Sequence, residues 1–336
     1  MNIKCIGNSL VKSIKTNSLP IVLLFLCTAL KAQDLNPELV FKSFQRAFPE
    51  KINEVSFIND DWTIKIGEEI FYWARGRLLP ASLKDNWESY RAHGFFRYPD
   101  NIPEIQNSPR EYTMRTGNRE IVNSNAVPYY GFQSALYGGM TKREVETQQV
   151  RVTFLGKTIV INKLIRETVK RIEEKILTMA KTEAEVAEFI SEIDTIGAYN
   201  WRTILGSNRM SYHSWGIAID IQPKQLGKKA IYWAWERLRN DNWQNVPLGD
   251  RWMPPLSVVK VFEEEGFIWG GKWRNYDNMH FEYRPELHIL KLLLEEEERK
   301  EKARNTIVVH HIYPENINIK TRQQSLNTLR AAIRNR

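Results

Sequence analysis

Residues 202–220 read Arg-Thr-Ile-Leu-Gly-Ser-Asn-Arg-Met-Ser-Tyr-His-Ser-Trp-Gly-Ile-Ala-Ile-Asp, and the reading of this stretch decides the fold. From Gly216 to Gln222 the residues alternate as a half-buried strand does. Ile217, Ile219 and Ile221 share one face; Ala218, Asp220 and Gln222 share the other. The isoleucines belong to a core. Asp220 therefore points into the space on the second face, and Ala218 leaves room beside it. A straight strand would put His213 and Asp220 on opposite faces. A bend at Gly216 brings them together.

A second segment, Asp277-Asn278-Met279-His280-Phe281-Glu282, has the same grammar. Met279, Phe281 and Tyr283 share one face of a short strand, and His280 and Glu282 share the other. A zinc hydrolase needs three protein ligands and an open position, and the ion lowers the pKa of water toward neutrality. His213, Asp220 and His280 fit that ligand set. A general base is needed as well, for which Asp277 and Glu282 are the local candidates. Arg202 is the cation at hand for a developing oxyanion. The other histidines, His93, His288, His310 and His311, read as structural or surface residues.

The two cysteines, Cys5 and Cys27, both lie in an N-terminal segment with Lys4, Lys12 and Lys15 before an apolar run from Leu19 to Leu30. No acid precedes Asp34, and Ala32 offers a small residue for cleavage before Gln33. That is the layout of a secretory signal peptide over residues 1–32, which predicts a secreted or periplasmic protein. Contact with a membrane is expected only through this segment if it stays uncleaved. Its removal leaves no cysteine, so a metal must be held by His, Asp and Glu.

The net charge of +8 and the pI near 9.3 suit polyanionic partners. No basic run interleaves with aromatics as a nucleic-acid groove requires, so nucleic acid is not an expected partner. Asn36-Pro37 starts a helix that carries Leu39, Phe41, Phe44 and Phe48. Strands follow over 62–66 and 69–73, then a loop with a turn at Thr116 to Arg119. Val150 to Ile161 forms a hairpin about Gly156. Asn162 caps a long helix, Thr182 and Glu185 form a capping box for the next, and Ser257 to Glu265 is a third, ended by Gly266. Phe267-Ile268-Trp269 is a short strand. Pro285 to Arg304 is a helix, and the basic remainder is a loosely packed tail.

Ser211-Tyr212-His213-Ser214-Trp215-Gly216-Ile217-Ala218-Ile219-Asp220 resembles the S-x-H-x-x-G-x-A-x-D signature of the VanY-type zinc peptidases. These are the D-alanyl-D-alanine carboxypeptidases and L-alanyl-D-glutamate endopeptidases. Asp277-Asn278-Met279-His280 resembles the family's second motif, an acid three residues before a histidine. The resemblance covers roughly Val150 to Leu290. It implies that His213, Asp220 and His280 ligate Zn2+, that Asp277 is the base, and that Arg202 stabilises the transition state or grips the substrate. Ser211 would support the first ligand and, with Tyr212, be a candidate substrate-binding residue. The second motif is closer to the endopeptidase branch.

The implied fold is α+β, a small antiparallel sheet flanked by helices and carrying the zinc site, with an N-terminal extension. The expected division is a signal peptide (1–32), an N-terminal region of unknown role (33–149), a zinc peptidase domain (150–290) and a charged C-terminal helix and tail (291–336). The implied activity is hydrolysis of peptidoglycan stem peptides. The alternative is a non-catalytic wall- or protein-binding module on the same fold.

Overall fold

A computed structural model of the chain describes residues 35–103, 125–204 and 207–312. The expected signal segment, the turn at Thr116 to Arg119 and the basic tail lie outside these residues. The architecture is mixed, with helices around small antiparallel sheets, as the α+β reading expects.

Helix α1 (Pro37–Ala47) begins where the Asn36 side chain accepts the Glu38 N–H at 2.9 Å. It buries Val40, Phe41 and Phe44 against a four-stranded meander. The meander runs β1 (Ile52–Ile58), β2 (Asp61–Ile66), β3 (Glu69–Ala74) and β4 (Arg77–Leu79), each antiparallel to the last. Its first turn takes Asn59 and Asp60 to φ of 51° and 63°, the left-handed region that two-residue hairpins require. Helix α2 (Gly131–Tyr137) and the short α3 (Lys142–Glu146) follow.

Strands β5 (Gln149–Phe154) and β6 (Lys157–Asn162) make the expected hairpin, closed by Leu155 and Gly156 at φ of 46° and 75°. The Asn162 side chain does two things. It caps a 3₁₀ turn by accepting the Leu164 N–H at 3.0 Å, and it donates to the carbonyls of Tyr137 at 2.9 Å and Trp215 at 3.0 Å. The α-helix proper, α4 (Arg166–Met179), starts after that turn.

Helix α5 (Ala184–Ser191) lacks the capping box expected from Thr182 and Glu185. The chain leaves α4 through a tight turn in which the Thr182 hydroxyl donates back to the Met179 carbonyl at 3.3 Å, and Glu183 takes the cap position. A capping box does form at Thr141 and Glu144, ahead of α3.

The sheet that carries Asp220 and His280 has the order β7 (Ile193–Gly197), β8 (Ala218–Pro223), β10 (His280–Tyr283), β9 (Phe267–Trp269), all antiparallel. Helix α6 (Leu256–Glu264) lies under it, with the Phe262 ring stacked on Phe281 at 4.0 Å. Helix α7 (Pro285–Ile312) is longer than the expected span to Arg304 and packs along α1. The charged stretch from Glu295 to Arg304 carries no amphipathic spacing, so no sequence signal marks where the helix ends.

One buried cluster runs from Phe41, Phe44 and Phe132 through Trp215 and Ile219 to Phe262 and Leu287. The N-terminal region is thus packed onto the sheet that follows. Phe48 meets Tyr283 edge-on at 6.2 Å, and the Tyr98 hydroxyl donates to Glu263 while accepting the Trp269 N–H at 2.9 Å. Among the described residues no helix is long and apolar enough to cross a membrane.

Candidate metal centre

His213 sits on a single 3₁₀ turn (Tyr212–Trp215), not on a strand. The buried Ser211 hydroxyl caps that turn by accepting the His213 N–H at 3.3 Å. The turn ends at Gly216 with φ of 69°. This is the bend that the strand alternation demanded. A Cβ at Gly216 would meet the Asn162 backbone nitrogen at 2.9 Å and the Gln149 side chain at 2.0 Å, so close approach as well as conformation selects glycine. Beyond the bend, Ile217, Ile219 and Ile221 are fully buried, and Asp220 faces the opposite side.

His280 opens β10 directly opposite Asp220 in the β8–β10 register. One carboxylate oxygen of Asp220 lies 2.8 Å from His280 Nδ1, and the other lies 3.1 Å from His213 Nε2. The two imidazole nitrogens are 3.2 Å apart. Donors about 2.0–2.1 Å from a tetrahedral ion are separated by about 3.3 Å, close to all three spacings.

The tautomer of His213 is fixed as well. Its Nδ1 lies 2.5 Å from the Ala198 carbonyl, which can only accept, so Nδ1 carries the proton and Nε2 keeps its lone pair. The three donors are grouped tightly enough to hold a metal ion, and a set of two imidazoles and one carboxylate suits zinc chemistry.

Electrostatics separate the two aspartates. Burial raises the Asp220 carboxyl, but its hydrogen bonds to His213 and His280 outweigh that and hold it well below the usual carboxylate range. It is ionised, as a ligand must be. Asp277 is pushed up to about 7, chiefly by burial, with the charges of Asp220 and Glu282 adding to the rise and those of His280 and Arg202 opposing it. Its Oδ1 is buried without a hydrogen-bond partner. The Asp277 backbone is pinned: its N–H donates to Gly270 at 3.0 Å, and its carbonyl accepts the His280 N–H at 3.1 Å.

Residues 205–283 match the family model described as D-alanyl-D-alanine carboxypeptidase. The match takes in His213, Asp220, Asp277 and His280 and stops short of Arg202. Residues 40–95 match a domain of unknown function (DUF8518). No curated protein and no solved structure matches the chain.

The remaining candidates fall into place around this centre. Arg202 is exposed; its backbone N–H donates to the Ser214 hydroxyl at 3.0 Å, and its charge reaches Asp277. Tyr212 is half-buried under the Arg284 guanidinium, 5.0 Å from ring centre to Cζ. Glu282 lies opposite Ala218, on the His280 face, and is raised by burial with Arg284 opposing.

Several contributors carry no signal in the sequence. The Ala198 carbonyl that orients His213 is a backbone group. Trp273, whose ring lies 5.4 Å from that of His280, follows a turn and belongs to no periodic pattern. His93, read as structural or surface, is a half-buried residue of the N-terminal region, held neutral by burial with its pKa lowered to about 4. His288 behaves as a structural residue, bonding the Phe267 carbonyl at 2.8 Å.

Proposed function

We propose that the chain is a zinc-dependent metallopeptidase that hydrolyses peptide bonds in peptidoglycan stem peptides, exported by its N-terminal segment. The observation that carries the reading is the convergence of His213 Nε2, Asp220 and His280 Nδ1 beside a buried, unpartnered Asp277 oxygen. The match to the carboxypeptidase family over the same residues supports it.

His213, Asp220 and His280 would hold the ion, with the Ala198 carbonyl and the Ser211 cap setting the His213 ring in place. Zinc, when bound, supplies Lewis acidity to the scissile carbonyl and acidifies the attacking water. Asp277 takes the proton from that water and returns it to the leaving amine; a carboxyl raised toward neutrality is suited to both transfers. Arg202 would bind the substrate or offset negative charge as the carbonyl is attacked. The basic chain suits an acidic wall polymer.

Mass spectrometry of muropeptides after digestion tests the proposal. Wild-type protein is expected to release fragments that are absent after chelation and absent with Asp277→Asn. Loss of a terminal D-alanine would mark a carboxypeptidase. Cleavage after L-alanine would mark the endopeptidase branch that the second motif favours. Intact muropeptides after treatment with zinc-loaded wild type would refute the activity.

A further inference from the structure

A cavity of about 330 Å³ adjoins the metal centre, and the N-terminal region builds half of it. Arg91, His93 and Tyr130 line it together with Arg209, Trp273 and Glu282. The volume is at the small end of ligand pockets, roughly 300–1,000 Å³. Its link to the centre is direct, since Trp273 packs beside His280 and Glu282 shares the His280 face of β10.

The polar groups of this lining are mostly donors. Gln133 approaches His93 Nε2 at 2.8 Å, and both Gln133 Oε1 and His93 Nδ1 are buried without a partner. Trp273 Nε1 is likewise buried and unpartnered. Arg91 donates through Nε to the Ala126 carbonyl at 2.8 Å, which leaves its terminal nitrogens available. Arg209 has no acidic partner among the described residues. Both guanidinium charges act on the Tyr130 hydroxyl. The acidic lining residue, Glu282, is opposed by Arg284. A pocket lined by three arginines and one acid favours an anionic ligand.

We propose that this cavity is a second subsite, shared between the N-terminal region and the peptidase sheet, that takes a carboxylate of the substrate chain through Arg91 and Arg209. The proposal rests on the peptidase reading for the identity of the chain being bound. It gives the N-terminal region a role in choosing the substrate.

The carboxylate could come from the terminus or from a side position of the peptide, so three probes are needed. They are the stem pentapeptide L-Ala-γ-D-Glu-L-Lys-D-Ala-D-Ala, its C-terminal amide, and its D-glutamyl α-amide. Calorimetric binding to zinc-free protein reads the subsite without turnover. One of the two amides is expected to bind wild type roughly 10- to 100-fold more weakly than the parent, the loss of a charged hydrogen-bonded pair. Which amide it is identifies the carboxylate.

Arg91→Gln and Arg209→Gln are expected to bind parent and amide alike, and Arg91→Lys to restore part of the difference. Circular dichroism melts of the variants check the fold, and the wild-type comparison needs no variant. Absence of binding, equal binding of all three probes to wild type, or unchanged discrimination in both glutamine variants overturns the subsite. Discrimination without hydrolysis by the zinc-loaded protein leaves the subsite standing and removes the peptidase activity. Hydrolysis without arginine-dependent discrimination does the reverse.

Discussion

At the scale of single residues, the division of labour between two acids is the main result. Asp220 is tied to both imidazoles and stays charged, while Asp277 keeps one buried, unpartnered carboxylate oxygen and is raised to about 7. Loss of a general base typically costs about 10²- to 10⁴-fold in rate. Asp277→Asn is therefore expected to keep its zinc and lose turnover by that order, measured by metal analysis beside single-substrate kinetics. Glu282→Gln is expected to lose much less, because the Glu282 charge is already opposed by Arg284; an equal loss would make Glu282 the base. His280 gives a pH test of the metal-free protein. Burial opposes its charge, but the Asp220 hydrogen bond and charge prevail and raise it from 6.5 to about 9. Its contribution to stability is then fully present below about pH 6.5 and is lost as pH rises through about 9. Zinc takes the neutral ring, so affinity runs the other way, rising by up to about tenfold per pH unit over that window. Melts of chelated protein and zinc titrations from pH 6.5 to 9 are expected to show these opposite trends. A zinc affinity that does not change with pH would contradict them. His213, Asp220, Asp277 and His280 were legible at this scale because each sits in a short motif. The Ala198 carbonyl and Trp273 were not, since a backbone acceptor and an aromatic in an irregular segment leave no periodic trace.

At the scale of elements, Gly216 decides whether His213 and Asp220 meet. Its φ of 69° turns the chain from the 3₁₀ turn into β8, and the Asn162 backbone closes the space that a side chain would need. Gly216→Ala is expected to cost about 1–3 kcal/mol of stability in denaturant melts and to weaken zinc binding, because the same bend places the first ligand. A variant as stable as wild type would show that the bend tolerates a side chain. The strand pairing of β8 and β10 could be foreseen from matched alternation, and the hairpin of β5 and β6 from its glycine turn. The capping box at Thr182 could not be told from a chance spacing. That threonine instead closes the end of α4, and a one-residue shift of the helix start removed the expected geometry. Strands β1 and β4 escaped notice because one is largely exposed and the other is three residues long.

At the scale of the whole molecule, the N-terminal region and the sheet of β7, β8, β10 and β9 share a core. Phe48 packs on Tyr283, Tyr137 lies 6.3 Å from Trp215, and α1 runs along α7. These long-range contacts could not be read from sequence, where residues 33–149 stood apart only as a stretch without a motif. Removing that region would strip Tyr130 and Tyr137 from Trp215 and Phe48 from Tyr283, and delete one wall of the cavity. A fragment of residues 150–290 is accordingly expected to lack a cooperative thermal transition by circular dichroism. A fragment that melts like the full chain would show that the shared core is dispensable. The proposed activity depends on a metal held by His213, Asp220 and His280, and zinc content per chain tests that most directly. Elemental analysis of the purified full chain is expected to give one zinc per wild-type chain and close to none for His213→Ala folded to the same extent. No zinc in the wild type, or equal zinc in both, would contradict the account.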